Sequence, residues 1–186
     1  MFKFINTNLE GAIIIEPQLF GDERGFFMES YNKLDFQNAG IEIDFVQDNH
    51  SKSKAGVLRG LHFQTQNTQS KLVRVINGSV YDVIVDLRGN SKTFGNWFGI
   101  ILTAENKKQL LIPKGFAHGF LTLEDDTEFV YKCDDYYNPI GDSGIIWNDI
   151  DLSIDWEKYY DITNLTVSEK DKNRSTLKEF EKINQF

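Results

Sequence analysis

The chain has 186 residues, 40% hydrophobic and 26% charged, a composition that supports one globular domain and excludes wholesale disorder. Its formal charge of −8 argues against a nucleic-acid partner, since phosphate backbones are held by clustered Lys and Arg, so an anionic ligand has to be met by a few local cations. A lone cysteine, Cys133, excludes an intrachain disulfide framework and a Cys-rich zinc site.

In chain order, the first apolar run, Ala12 to Ile15, is far too short for a secretory leader or a membrane span. The default expectation is therefore a cytoplasmic protein without a membrane partner. From residue 11 to about 150, short apolar runs are broken every 8–12 residues by Gly, Asn or Asp, the spacing of an all-β barrel or sandwich. Tyr31 to Ala39 reads as a short helix ending at Gly40 as its C-cap. Lys71 to Leu87 reads as a hairpin in which Asn77-Gly78 supplies the positive-φ residues of a type I′ turn. Beyond that turn Tyr81, Val83, Val85 and Leu87 share one face, with Asp82, Ile84, Asp86 and Arg88 on the other. Further strands follow at Trp97 to Thr103, Gln109 to Ile112, Gly119 to Leu123 and Glu128 to Tyr131. Ser175 to Asn184 places Leu177, Phe180 and Ile183 three apart, as in a short amphipathic helix. The fold class is mainly β: one jelly-roll (cupin-like) barrel domain with a few short helices, its core at about 11–150 and a helical segment at about 168–186. Fifteen Phe, seven Tyr and three Trp suit both a barrel core and stacking surfaces for flat ligands.

Three histidines are present: His50, His62 and His118. His62 and His118 each follow a glycine-containing turn and enter an apolar segment, which places them at strand starts with their rings inside the barrel or at its mouth. A metal-binding cupin needs a His-x-His pair, a following carboxylate and a later histidine to gather three or four ligands. Here His62 is followed by Phe63 and Gln64, so no metal site and no cofactor is expected. The remaining readings are a hydrogen-bonded core histidine or a general base, because imidazole titrates near neutral pH. A base of that kind usually needs a carboxylate on its other ring nitrogen; Asp82, Asp171 and several others are candidates, and spacing alone does not choose between them. Arg24, Arg59, Lys71 and Arg74 are cations near these segments, suited to an anionic ligand such as a diphosphate or to surface salt bridges. Tyr131 shares a strand face with Phe129, as a core aromatic or as a proton donor. Tyr136 and Tyr137 are loop aromatics that either stack on a base or cover the barrel end.

Together these blocks closely resemble the dTDP-4-dehydrorhamnose 3,5-epimerase family. The resemblance is carried, in order, by Gly21-Asp-Glu-Arg-Gly-Phe-Phe-Met-Glu29, Phe45-Val-Gln-Asp-Asn-His-Ser51, Leu58-Arg-Gly-Leu-His-Phe-Gln64 and Lys71-Leu-Val-Arg74. It continues through Ile112-Pro-Lys-Gly-Phe-Ala-His-Gly-Phe120, Tyr131-Lys-Cys133, Tyr136-Tyr-Asn-Pro139 and Ile146-Trp-Asn-Asp149, and covers about residues 16–171. The resemblance implies a metal-free jelly-roll homodimer in which the partner's N-terminal region helps to complete each site. It implies inversion of C3 and C5 of dTDP-4-dehydro-6-deoxy-D-glucose, with His62 as base, Tyr131 as acid and Asp171 paired with His62. The alternative within the same class is a single-carbon epimerase of another nucleotide-linked 4-keto-sugar. By the same matching, Arg59, Lys71 and His118 lie near the sugar and phosphates. Arg24, Glu29, Gln47, Asp48 and Asn49 match nucleotide-binding positions, and Phe27 matches a thymine-contacting aromatic. Asp142 and Lys170 match further ligand contacts.

Overall fold

The computed structural model describes residues 1–183 and forms two antiparallel sheets facing each other as a jelly-roll sandwich rather than one continuous barrel. The first sheet runs β1 (Phe2–Asn6), β2 (Ile13–Pro17), β10 (Gln109–Ile112), β7 (Lys71–Asn77), β12 (Thr127–Cys133), β5 (Gln47–Ser53). The second runs β13 (Asp142–Gly144), β6 (Val57–Gln64), β11 (Phe116–Thr122), β8 (Ser79–Asp86), β9 (Trp97–Thr103). A short strand, β14 (Thr166–Val167), lies parallel to β6. The hairpin of β3 (Phe20–Asp22) and β4 (Gly25–Phe27) stands apart, with every residue exposed.

Strand alternation sorts the apolar residues into three layers. Between the sheets lie Val73, Val75, Ile84, Leu110, Phe120 and Phe129. The outer face of the second sheet packs Tyr81, Val83 and Val85 under Leu152, Trp156 and Phe180 from the C-terminal segment. The outer face of the first sheet is partly covered by α1 (Lys33–Asn38), whose Phe36 packs on Leu72 and Leu111. Burying Phe180 contributes roughly 1.5–3 kcal/mol. That contact ties α3 (Leu177–Ile183) to the second sheet, and with it the preceding α2 (Glu169–Lys172), which carries Asp171.

Several elements match the sequence reading. The α1 helix is capped by the Asn32 side chain, which accepts from the amides of Leu34 and Asp35, and Gly40 follows at φ +80. The strands at Trp97 and Gln109 have the expected bounds. The C-terminal helix begins at Leu177; Asn184 lies outside the described residues.

The hairpin of residues 71–87 does not form. Strand β7 pairs with β10 and β12, and β8 pairs with β11 and β9, so the two strands lie in opposite sheets. Asn77-Gly78 is a corner between sheets: Gly78 has φ +74 and Asn77 does not. A Cβ at Gly78 would sit 2.2 Å from the Thr127 hydroxyl. The physical cause is that Val73 and Val75 of β7 and Val80 and Ile84 of β8 must meet in one inner layer, which places their strands face to face. Both faces of β8 are buried, Asp82 and Asp86 included. His62 and His118 are not at strand starts either; they sit inside β6 and β11 as directly opposed partners. No helix among the described residues is long and apolar enough to cross a membrane.

Candidate active site

The two sheets bring their functional side chains face to face. His62 and His118 project from the second sheet, Lys71 and Tyr131 from the first. His62, Arg59, Lys71, Tyr131, Asp142 and Asp171 line a cavity of about 510 Å³. An adjoining space of about 330 Å³ shares four of these residues and is bounded by Asn49, His118 and Phe120.

Each of the two inner histidines has its own carboxylate. His62 Nε2 lies 2.6 Å from Asp171 Oδ1. Asp171 is presented by α2, whose N-cap Ser168 accepts a hydrogen bond from the Asp171 amide at 3.1 Å. The segment is thus both a helix cap and a carboxylate mount. Burial works against ionisation of Asp171, but its contacts with His62, Ser168 and the Gly60 amide outweigh it and hold the carboxyl below its usual range. His118 Nε2 lies 2.9 Å from Asp82 Oδ2, with Asp82 fully buried. Burial dominates this second pair, pushing Asp82 up and His118 down. The second oxygen of Asp82 has no hydrogen-bond partner among the described residues. His50 is elsewhere, paired with Glu128 at 2.9 Å on the outer face of the first sheet.

Across the cavity, burial pushes the Tyr131 phenol up to about 12, so it stays protonated at neutral pH. Lys71 Nζ sits 5.8 Å from the centre of the Tyr131 ring, and burial pulls its pKa below that of a free lysine. A proton acceptor with a fixed carboxylate stands on one wall, a neutral proton donor on the other, and a desolvated cation between. That arrangement can remove a proton from one face of a bound carbon acid and return one to the other. No group of three or more His, Cys, Asp or Glu side chains converges as a metal site among the described residues.

Other expected contacts divide into two sets. Arg59 reaches Ser53 Oγ at 3.2 Å at the cavity edge, and Gln47 donates to Asn49 Oδ1 at 3.1 Å. Asp142 is gripped by Lys170 and by Arg174, the latter at 3.1 Å, and accepts from the Tyr137 hydroxyl at 3.2 Å. Asp48 is turned outward and pairs with Lys132 at 2.9 Å, away from this cavity. Arg24 and Phe27 stand on the exposed β3–β4 arm, with Arg24 folded onto Asp22. Glu29 lies 3.7 Å from the chain's N-terminus. One subunit does not bring these three to its own cavity. Sequence reading missed Arg174, whose only signal was a basic residue one helical turn beyond Asp171.

The chain matches the family model described as dTDP-4-dehydrorhamnose 3,5-epimerase over residues 6–179. It is 54% identical over 178 residues to the dTDP-4-dehydrorhamnose 3,5-epimerase of Methanothermobacter thermautotrophicus, covering 96% of each chain. It is 52% identical over 177 residues to that of Escherichia coli K12, covering 94% of each. Among solved structures, it superposes with a TM-score of 0.91 on the dTDP-6-deoxy-D-glucose-3,5-epimerase of Legionella pneumophila in complex with dTDP-4-keto-L-rhamnose. That pair shares 49% identity over 96% of this chain and 94% of the other. The chain belongs to the dTDP-4-dehydrorhamnose 3,5-epimerase family.

Proposed function

We propose that this chain is an isomerase inverting C3 and C5 of dTDP-4-dehydro-6-deoxy-D-glucose to give dTDP-4-dehydro-L-rhamnose, in dTDP-rhamnose biosynthesis. The observation that carries this reading is that His62 and Tyr131 line one cavity from facing sheets. The C4 ketone acidifies the hydrogens on its neighbouring carbons. His62, oriented by Asp171, takes such a proton; the charge moves to the C4 oxygen as an enolate; Tyr131 protonates the same carbon from the opposite face. Configuration inverts because acceptor and donor stand on different sides of the ring. Before the second carbon reacts, His62 sheds its proton and the Tyr131 phenolate regains one from solvent. Lys71 and Arg59 supply positive charge to the oxyanion, an interaction stronger in the transition state than in the ground state. The donor set favours this proton-transfer chemistry over metal chemistry, since each inner histidine is already engaged by a single carboxylate.

The remaining binding residues fit a homodimer. His118, Asn49, Asp142 and Lys170 line the cavity, and Gln47 borders it through the Tyr137 amide. Arg24, Phe27 and Glu29 belong to an arm whose Phe20, Phe26 and Phe27 are more than half exposed, an apolar cluster of the kind that marks a contact surface. In our reading the arm of a second copy completes each nucleotide site, on the side where Asp48 is exposed. A single buried thiol and the absence of a long apolar helix among the described residues support a cytoplasmic location. Incubation with dTDP-4-keto-6-deoxyglucose in deuterated water tests the reaction. Solvent deuterium at both C3 and C5 of an inverted product is expected. Label at one carbon makes it a single-carbon epimerase, and no incorporation overturns the proposal.

A further inference from the structure

Behind the His62–Asp171 pair stands a third charge. The Arg174 side chain is 9% exposed, and its Nη2 meets Asp142 Oδ1 at 3.1 Å. Its Nε lies 3.6 Å from Asp171 Oδ1, the same oxygen that meets His62 Nε2 at 2.6 Å. At 3.6 Å this is not a hydrogen bond, and Nε is buried with no hydrogen-bond partner. The contact is therefore a close, desolvated charge pair. Its position is fixed from both sides. The Ile146 amide donates to the Ser175 carbonyl at 2.8 Å, anchoring the backbone next to Arg174. The guanidinium packs over Gly144, where an added Cβ would come within 3.0 Å of Nε.

We propose that Arg174 is a positioning residue for the proton-accepting pair, opposing protonation of His62 from behind the Asp171 carboxylate; this deepens the acid–base reading above and rests on it. A guanidinium does not lose its proton in a protein, so its charge acts at every working pH. Without it the Asp171 anion acts on the imidazole unopposed, the ring holds its proton more tightly, and less of it is free to accept one. The other charged and titratable groups facing His62 from the elements packed on it are Arg59, Lys71, Tyr131 and His118. Asp142 and Lys170 lie on the Arg174 side, and the His50 side chain is turned to the outer face of the first sheet, paired with Glu128. None of them sits directly behind the Asp171 carboxylate as Arg174 does.

The test is an NMR titration of the His62 ring in the full-length protein without substrate, which stands whether or not the sugar reaction is as proposed. In Arg174→Gln the ring's midpoint should move upward by roughly one pH unit, and Arg174→Lys should return most of that shift. The acidic limb of kcat/KM for epimerisation should move with it; failure of epimerisation in the parent protein indicts the function reading alone. An unchanged or lowered midpoint in folded Arg174→Gln overturns the proposal. Should that variant not fold, the same titration is run on Arg174→Met, whose unbranched chain keeps the packing over Gly144 while Lys170 still pairs with Asp142. It should give the same upward shift, and its absence overturns the proposal equally.

Discussion

Replacing Tyr131 by Phe removes one oxygen and leaves the ring in place beside Phe129, 6.0 Å away between centroids, and beneath Lys71. Among the described residues the hydroxyl has no protein hydrogen-bond partner to lose, so stability should change by less than about 1 kcal/mol. The rate should fall by about 10²–10⁴-fold, the usual contribution of a positioned general acid, or roughly 3–5 kcal/mol of barrier. The loss has a signature beyond its size. With His62 intact, C3 and C5 protons should still exchange with deuterated water, but the label returns to the face it left and configuration is kept. Because the phenol's pKa is about 12, its ionisation should not limit the parent enzyme below about pH 11. The assay is paired NMR detection of exchange and of inverted product. Inversion by Tyr131→Phe within tenfold of the parent rate would falsify the assignment of the acid.

Three further outcomes follow from the geometry. Asp171→Asn removes a charge-assisted bond from His62, so kcat/KM should fall roughly 10–100-fold, about 1.5–3 kcal/mol of barrier; a threefold effect or less contradicts the pairing. Lys71 loses its proton below the usual lysine range because it is desolvated, so kcat/KM should fall on the alkaline side earlier than a free lysine allows. Lys71→Arg should remove that limb from the profile, and its persistence would point to another group. Asp86 is buried, but hydrogen bonds from Arg88, Ser91 and Thr93 outweigh desolvation and set its pKa at about 2. Its folded value is therefore below its unfolded one, so its stabilisation, about 1–2 kcal/mol after solvent screening, is complete above about pH 4 and is lost as pH falls toward 2. Asp86→Asn should flatten that acid limb of chemical denaturation, and an unchanged limb contradicts it.

Local patterns in the sequence reached the strands at Trp97 and Gln109, the α1 cap and the strand-rich class, since alternation and capping are properties of adjacent residues. The 71–87 segment misled because Asn77-Gly78 suits two geometries, and only the three-layer burial around β8 selects the corner between sheets. The pairing of Asp171 with His62 was legible only through the motifs that carry the family resemblance; spacing alone did not say which carboxylate serves which histidine. Asp82 reaches His118 from an adjacent strand and Asp171 reaches His62 from 109 residues away, so register and tertiary packing make that choice. Arg174 was invisible for the same reason: its meaning depends on Gly144 and Asp142, brought to it by the β13–β6 pairing.

The most direct test of the account is a crystal structure of the protein with a dTDP-bound 4-keto-sugar. The His62 imidazole and the Tyr131 hydroxyl should lie against opposite faces of the pyranose ring, with C3 and C5 between them and Lys71 toward the C4 oxygen. Both groups on one face of the ring, or a sugar seated away from either of them, contradicts it.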